Sequence, residues 1–217
     1  MPESYAHNLI RFEEQYAGLL PEDLLKRAQD HAGSLSDLGS DALTAGALAP
    51  DFTLTDQRGE PFHLAAALRT GPVIVSFYRG GWCPYCNVQL HTLQQALPEF
   101  RTHGARLVAI SPDRPDDSLS TAERHALEFD VLSDPDNRVA RAYGLLFTVP
   151  ENVRDIYRTA GADLTATDAK LPIPATYVVG TDHRIRYAHV DGDYRQRAET
   201  ADLLAALGDD APTDAAG

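Results

Sequence analysis

Val73-Ile-Val-Ser-Phe-Tyr-Arg-Gly-Gly-Trp-Cys-Pro-Tyr-Cys-Asn-Val-Gln-Leu, ending at Leu90, reads as strand, tight turn and helix. Val73 to Tyr78 is a short run of apolar, β-branched and aromatic residues, as a buried strand requires. Gly80-Gly81 lets the backbone turn sharply after it. Pro84 has its φ preset for a first helical turn, where its missing N–H costs nothing. Val88, Leu90, Leu93 and Leu97 supply the apolar positions of that helix. Cys83 and Cys86 therefore fall at a helix N-terminus.

Unpaired N–H groups and the positive end of the helix dipole favour thiolate, the form of cysteine that attacks. Arg79, a cation a few residues ahead, stabilises negative sulfur further. The chain has no other cysteine. Two inert core thiols have no reason to share one strand-to-helix turn. Zinc would want two more ligands, and the eight histidines are scattered. The residues point to a redox pair, with no metal and no cofactor expected.

A chain of 217 residues is long enough to bury a real core in one decorated domain. The formal charge of −13 and the pI near 4.9 argue against nucleic acid or an anionic membrane as partner. Met1-Pro-Glu-Ser opens without a basic segment and apolar stretch, and no apolar run approaches membrane-spanning length, so a cytoplasmic protein is expected. In that reducing compartment a CxxC near a βαβ pattern reads as a cycling centre rather than a structural disulfide.

Residues 1–45 read as a helical extension apart from the core, 46–208 as the main domain and 209–217 as a disordered tail. Leu9, Phe12, Tyr16, Leu19 and Leu20 fall at helical spacing; Pro21 restarts a helix carrying Leu24, Leu25 and Ala28, which Gly33 ends. This extension fits a cover on the domain or a dimerisation arm. Ala49 to Leu64 reads as a hairpin turning at Arg58-Gly59, and Ala105 to Ile110 as a strand parallel to Val73–Tyr78. Ser120 with Glu123 resembles a capping box for a helix through Leu127, followed by an edge strand or link at 129–132. Asp134, Pro135 and Gly144 read as N-cap, first residue and stop of another helix, and Pro150 to Thr159 repeats the plan. After a loop from Gly161, the stretch 171–190 forms two strands turning at 180–183, and Asp193 with Gln196 resembles the cap of a last helix bearing Leu203, Leu204 and Leu207.

Parallel strands around a CxxC helix, followed by Pro-x-Thr-aromatic and a hairpin, resemble the thioredoxin fold: α/β, a central mixed sheet flanked by helices. Phe77-Tyr-Arg-Gly-Gly-Trp-Cys-Pro-Tyr-Cys, with Ala49-Pro-Asp-Phe, Ser133-Asp-Pro and Tyr143-Gly-Leu, resembles the peroxiredoxins of the alkyl hydroperoxide reductase C / thiol-specific antioxidant type across roughly residues 48 to 207. The resemblance puts Cys86 where that family has its peroxidatic cysteine and Cys83 where it has a threonine. Arg79 falls at a family proline, and Pro174, in Ile173-Pro-Ala-Thr, where the family has its second arginine. That Pro-x-Thr also resembles the cis-proline loop of thioredoxin-like reductants. The threonine and arginine, which bind and polarise peroxide in the family, are both replaced here.

Two mechanisms follow. In the peroxidase implied by the resemblance, Cys86 attacks hydrogen peroxide or an organic hydroperoxide and becomes a sulfenic acid, Cys83 condenses with it to a disulfide, and a thioredoxin-like or other dithiol reduces the pair. Arg79 lowers the thiol pKa and orients the peroxide, while Trp82 and Tyr85 wall the site. In a thioredoxin-like thiol-disulfide oxidoreductase, Cys83 attacks a disulfide, Cys86 resolves the mixed disulfide and Pro174 shapes the docking groove. Arg197, in Asp191-Gly-Asp-Tyr-Arg-Gln-Arg, is within reach of the same site. Trp82 and Tyr85 fit a core-capping role equally, and His183 and His189 read as surface histidines on one side of the last hairpin.

Overall fold

A computed structural model describes residues 3–16 and 21–208. In chain order the elements are α1 (Tyr5–Tyr16), α2 (Glu22–Ser34), β1 (Thr53–Asp56), β2 (Pro61–His63), α3 (Leu64–Leu68), β3 (Val73–Phe77), α4 (Pro84–Thr102), β4 (Arg106–Ser111), α5 (Pro115–Arg124) and β5 (Asp130–Ser133). There follow α6 (Arg138–Ala142), β6 (Leu146–Thr148), a 3-10 turn (Glu151–Val153), α7 (Arg154–Thr159), β7 (Lys170–Pro172), β8 (Ala175–Val179), β9 (Ile185–Val190) and α8 (Thr200–Gly208).

Seven strands form one mixed sheet in the order β2-β1-β5-β4-β3-β8-β9. β3 is central, parallel to β4 and antiparallel to β8, and all five of its residues are buried. Its side chains alternate between two apolar clusters. Val73, Val75 and Phe77 join Tyr143, Tyr177 and the hairpin residues Phe52 and Phe62 on one face. Ile74 and Tyr78 join Leu90, Leu93, Leu97 and Phe100 of α4 on the other, with Leu203 and Leu207 of α8. A strand covered on both faces needs a near-continuous apolar run, which Val73–Phe77 supplies apart from Ser76, whose hydroxyl pairs with that of Thr176 on β8. The β3–α4–β4 crossover and the β1–β2 and β8–β9 hairpins occur as the sequence predicts.

Local signals misplaced several other boundaries. Helix α5 begins at Pro115, so Ser120 lies inside it, its hydroxyl donating to the Asp116 carbonyl rather than capping an end. β5 is interior, not an edge: β4 pairs with one side of it and β1 with the other. Asp134 does satisfy the start of α6, accepting from the amides of Arg138, Val139 and Ala140, but it stands ahead of the N-cap, Asn137, and Pro135 lies outside the helix. Gly144, at φ 72°, stops the chain after α6 as expected. Asp193 and Gln196 close a turn well before α8 starts at Thr200, and Leu204 is only half-buried. β6 and β7 form a second, two-stranded sheet that the sequence did not disclose.

The first two helices are joined to the body. The Glu199 carboxylate accepts from the Tyr5 and Ala6 amides at 2.8 and 3.0 Å, capping α1 at the positive end of its dipole. Asn8 donates to Thr92 and Gln95 of α4. Ala32 enters the apolar cluster on the Val73 face, so the segment read as apart from the core reaches into it, and Gly33 sits within α2 rather than ending it. Leu19, Leu20 and the tail 209–217 lie outside the described residues.

Candidate redox site

Cys83 is the N-cap of α4 and Cys86 lies in its first turn; both are fully buried free thiols. The turn that delivers them is made by Gly80, at φ 139°, where a β-carbon would run into the Trp82 indole. The Gly81 amide donates to the Asp113 carboxylate at 2.9 Å and the Asn87 side chain donates to the Gly81 carbonyl, tying the loop to the end of β4 and to α4.

Arg79 is 3% exposed, and its Nη2 donates to Cys83 Sγ at 3.1 Å. No ion pair with a carboxylate compensates it among the described residues. Its plane lies 3.7 Å from the centre of the Tyr194 ring, with Trp82 and Tyr157 at 5.2 and 5.4 Å. Such a cage favours a cation that has left water. The Arg197 side chain is also buried, with Nη2 3.6 Å from Cys86 Sγ. Each sulfur thus has its own guanidinium.

The two sulfurs differ in ionisation. Burial alone pushes the Cys83 thiol up, but a hydrogen bond from Cys86, the Arg79 and Arg197 charges and the hydrogen bond from Arg79 together bring it well below the usual thiol range. Burial, then the adjoining Cys83 sulfur, drives Cys86 well above that range. Arg79 stays cationic despite its burial because Cys83 sits beside it. The opposite shifts favour negative charge on Cys83 over Cys86.

Trp82 and Tyr85 are both half-buried. Tyr85 meets Tyr194 and, from α1, Phe12, each with ring centres 5.7 Å apart. Trp82 packs edge-on to Tyr157 and lines a cavity of about 470 Å³ with Arg79, Asp113, Arg114, Thr121 and Arg124. Neither cysteine lines this cavity; of its lining residues, Arg79 donates to Cys83. Pro174 is buried, and extending the β3–β8 register by one residue sets it opposite Tyr78, at the cysteine end of the sheet. All described peptide bonds are trans, so the likeness to a cis-proline loop does not extend to the isomer. His183 occupies the β8–β9 turn at φ 64°, while His189 is half-buried in β9 with a buried, unpartnered Nε2.

Sequence reasoning missed Tyr157 and Tyr194. Tyr194 stands in the Asp191–Arg197 stretch already singled out, whereas nothing local marks Tyr157. Among the described residues no group of histidine, cysteine and carboxylate side chains is arranged to hold a metal, and no helix is long and apolar enough to cross a membrane.

Residues 45–188 match the model of the AhpC/TSA family. A putative peroxiredoxin of Mycobacterium tuberculosis is 40% identical over 102 residues, covering 47% of this chain and 64% of that protein. Peroxiredoxin Bcp of Escherichia coli is 36% identical over 103 residues, covering 48% and 65%. The chain thus spans just under two thirds of these relatives. The crystal structure of peroxidoxin BcpB from Mycobacterium tuberculosis superposes with a TM-score of 0.61 at 25% identity, over 77% of this chain and 97% of that one.

Proposed function

The chain belongs to the AhpC/TSA family, and from that premise we propose that it is a thiol-dependent peroxidase, reducing hydrogen peroxide or organic hydroperoxides through Cys83 and Cys86. The observation that carries this reading is the Arg79 guanidinium on Cys83 Sγ, buried and without a carboxylate partner. It holds a nucleophile in its attacking form and leaves donors for an oxygen entering beside the sulfur. The resemblance gives the attacking role to Cys86; the geometry supports giving it to Cys83.

Cys83 thiolate attacks one peroxide oxygen; the S–O bond forms as the O–O bond breaks, and the leaving oxygen departs as hydroxide or alkoxide and is protonated. Cys86, losing its proton beside Arg197, then attacks the sulfenic sulfur, and water leaves as the disulfide forms. An external dithiol returns two electrons by exchange. Trp82 screens the site from the cavity. We place this chemistry in the cytoplasm, where a dithiol reductant is maintained. The division near residue 45 belongs to the same reading, with 1–45 packed against the domain.

One observation favours a second reading, a thiol-disulfide oxidoreductase. The first cysteine, at the helix N-cap, is the one whose thiol is pushed down while its partner's is pushed up, and Cys83 and Pro174 stand where the resemblance gives the family its peroxide-binding threonine and arginine. Peroxide consumption under dithiothreitol and reduction of insulin disulfides, measured on the same preparation, separate the two. Catalytic peroxide turnover without insulin reduction is expected; insulin reduction with peroxide loss no faster than the uncatalysed rate would replace the first reading by the second.

A further inference from the structure

Arg79 is steered by a hydrogen-bond chain that begins in the first 45 residues. Its Nη1 donates to the Tyr157 hydroxyl oxygen at 3.3 Å, and that oxygen lies 2.9 Å from His31 Nε2. His31 on α2 and Tyr157 on α7 are 6% and 3% exposed, with their rings edge-to-face at 5.6 Å. A phenol has one proton. When its oxygen accepts from Arg79, that proton is available to an unprotonated Nε2.

We propose that His31 is a positioning residue of the redox site: as a buried hydrogen-bond acceptor, it fixes Tyr157, which fixes Arg79 on Cys83. This rests on the reading of Cys83 as the reactive thiolate. It makes α2, outside the matched residues 45–188, part of the machinery rather than a cover. Each bond in such a buried chain polarises the next, so donation to His31 makes the Tyr157 oxygen a better acceptor for the guanidinium. Arg79 needs that restraint because its Nε is buried without a hydrogen-bond partner.

Protonating His31 would turn the acceptor into a donor and set a second cation near Arg79. The charged and titratable groups around it are Tyr157 and Arg79 from other elements and, on its own helix, Arg27 and Asp30, with Arg27 tied to Asp155 of α7. Burial, then Arg79, holds His31 below the usual imidazole range, so the ring is neutral at neutral pH, and its Nδ1–H tautomer accepts at Nε2.

The test is the rate of iodoacetamide alkylation at Cys83, located by mass, against pH in the full chain. His31→Leu and Tyr157→Phe should each lower the thiolate-to-thiol ratio about tenfold, the scale of one hydrogen bond serving a charged group, and so raise the pH of half-maximal alkylation by about 1. His31→Gln, whose amide oxygen accepts at the same place without titrating, should keep the wild-type half-maximal pH and leave Cys83's own titration as the single acid-side inflection. With Arg79→Leu already in place, His31→Leu should change nothing further. Equal shifts in His31→Leu and His31→Gln, or a full His31→Leu effect without Arg79, would show a packing role and overturn the proposal. A His31→Leu profile like wild type would overturn it too. A wild-type Cys83 no more reactive than a free thiol would refute the underlying reading, and the proposal with it.

Discussion

Replacing Arg79 by leucine removes the charge on which Cys83 depends. The guanidinium is buried with Nη2 3.1 Å from Sγ. At an effective dielectric constant of about 20, unit charges at that separation attract by about 5 kcal/mol, which is a ceiling. After both ions leave water, what remains is the worth of one hydrogen bond between charged groups, about 1.5–3 kcal/mol. At about 1.4 kcal/mol per decade, the thiolate-to-thiol ratio at Cys83 falls roughly ten- to a hundredfold. The fold should survive, because leucine meets Trp82, Tyr157 and Tyr194 without stranding a charge, and exchanging a buried ion for an apolar side chain is often neutral or stabilising. The pH at which alkylation of reduced protein at Cys83 is half-maximal measures the ratio; a urea melt of the same sample measures the fold. That pH should rise by about 1–2, with an unchanged or higher urea midpoint. A wild-type pH profile in a folded variant would refute the assignment of Cys83's acidity to Arg79.

Cys83's folded ionisation lies below that of the unfolded thiol, so its stabilisation of the reduced protein is complete above about pH 8.5 and is lost as pH falls through the depressed folded value. Cys86 stays protonated in both states below about pH 8.5, so thermal melts should show the reduced form losing ground to the disulfide form as pH falls below about 8.5; parallel curves would contradict this. Gly80→Ala, which forces a β-carbon toward Trp82 and Asp113 at φ 139°, should slow Cys83 alkylation while the circular dichroism spectrum is retained. Glu199→Ala uncaps α1 and should cost about 0.5–2 kcal/mol in urea denaturation. Leu93→Ala, in the fully buried face of α4, should cost about 2–5 kcal/mol by the same assay without changing the alkylation rate.

The strand, turn and CxxC helix were legible because each choice there is local: β-branched residues for a doubly covered strand, glycines for the turn, a proline for the first helical turn. The same reasoning misread Ser120-x-x-Glu123, because a capping-box spacing also occurs within a helix that Pro115 has already begun. It read 129–132 as an edge strand or a link because strand neighbours are fixed by pairing at long range, here with β1 and β4. Arg79 and the cysteines announced themselves within a few residues of one another. The groups that hold Arg79 did not: Tyr157 lies 78 residues away along the chain, and His31 reaches the site only because α2 docks on α7. The cysteine assignment shows the same limit. Family spacing points to Cys86, while the side chains that gather around the pair point to Cys83.

Intact mass of the reduced protein, Cys83→Ser and Cys86→Ser after one equivalent of hydrogen peroxide, with a sulfenic-acid trap present, shows which sulfur meets peroxide. Rapid loss of two hydrogens is expected in the parent, as the disulfide forms, with a trapped sulfenic acid in Cys86→Ser but not in Cys83→Ser. Trapping only when Cys86 is retained would return the attacking role to Cys86; no reaction faster than that of a free thiol would contradict the peroxidase itself.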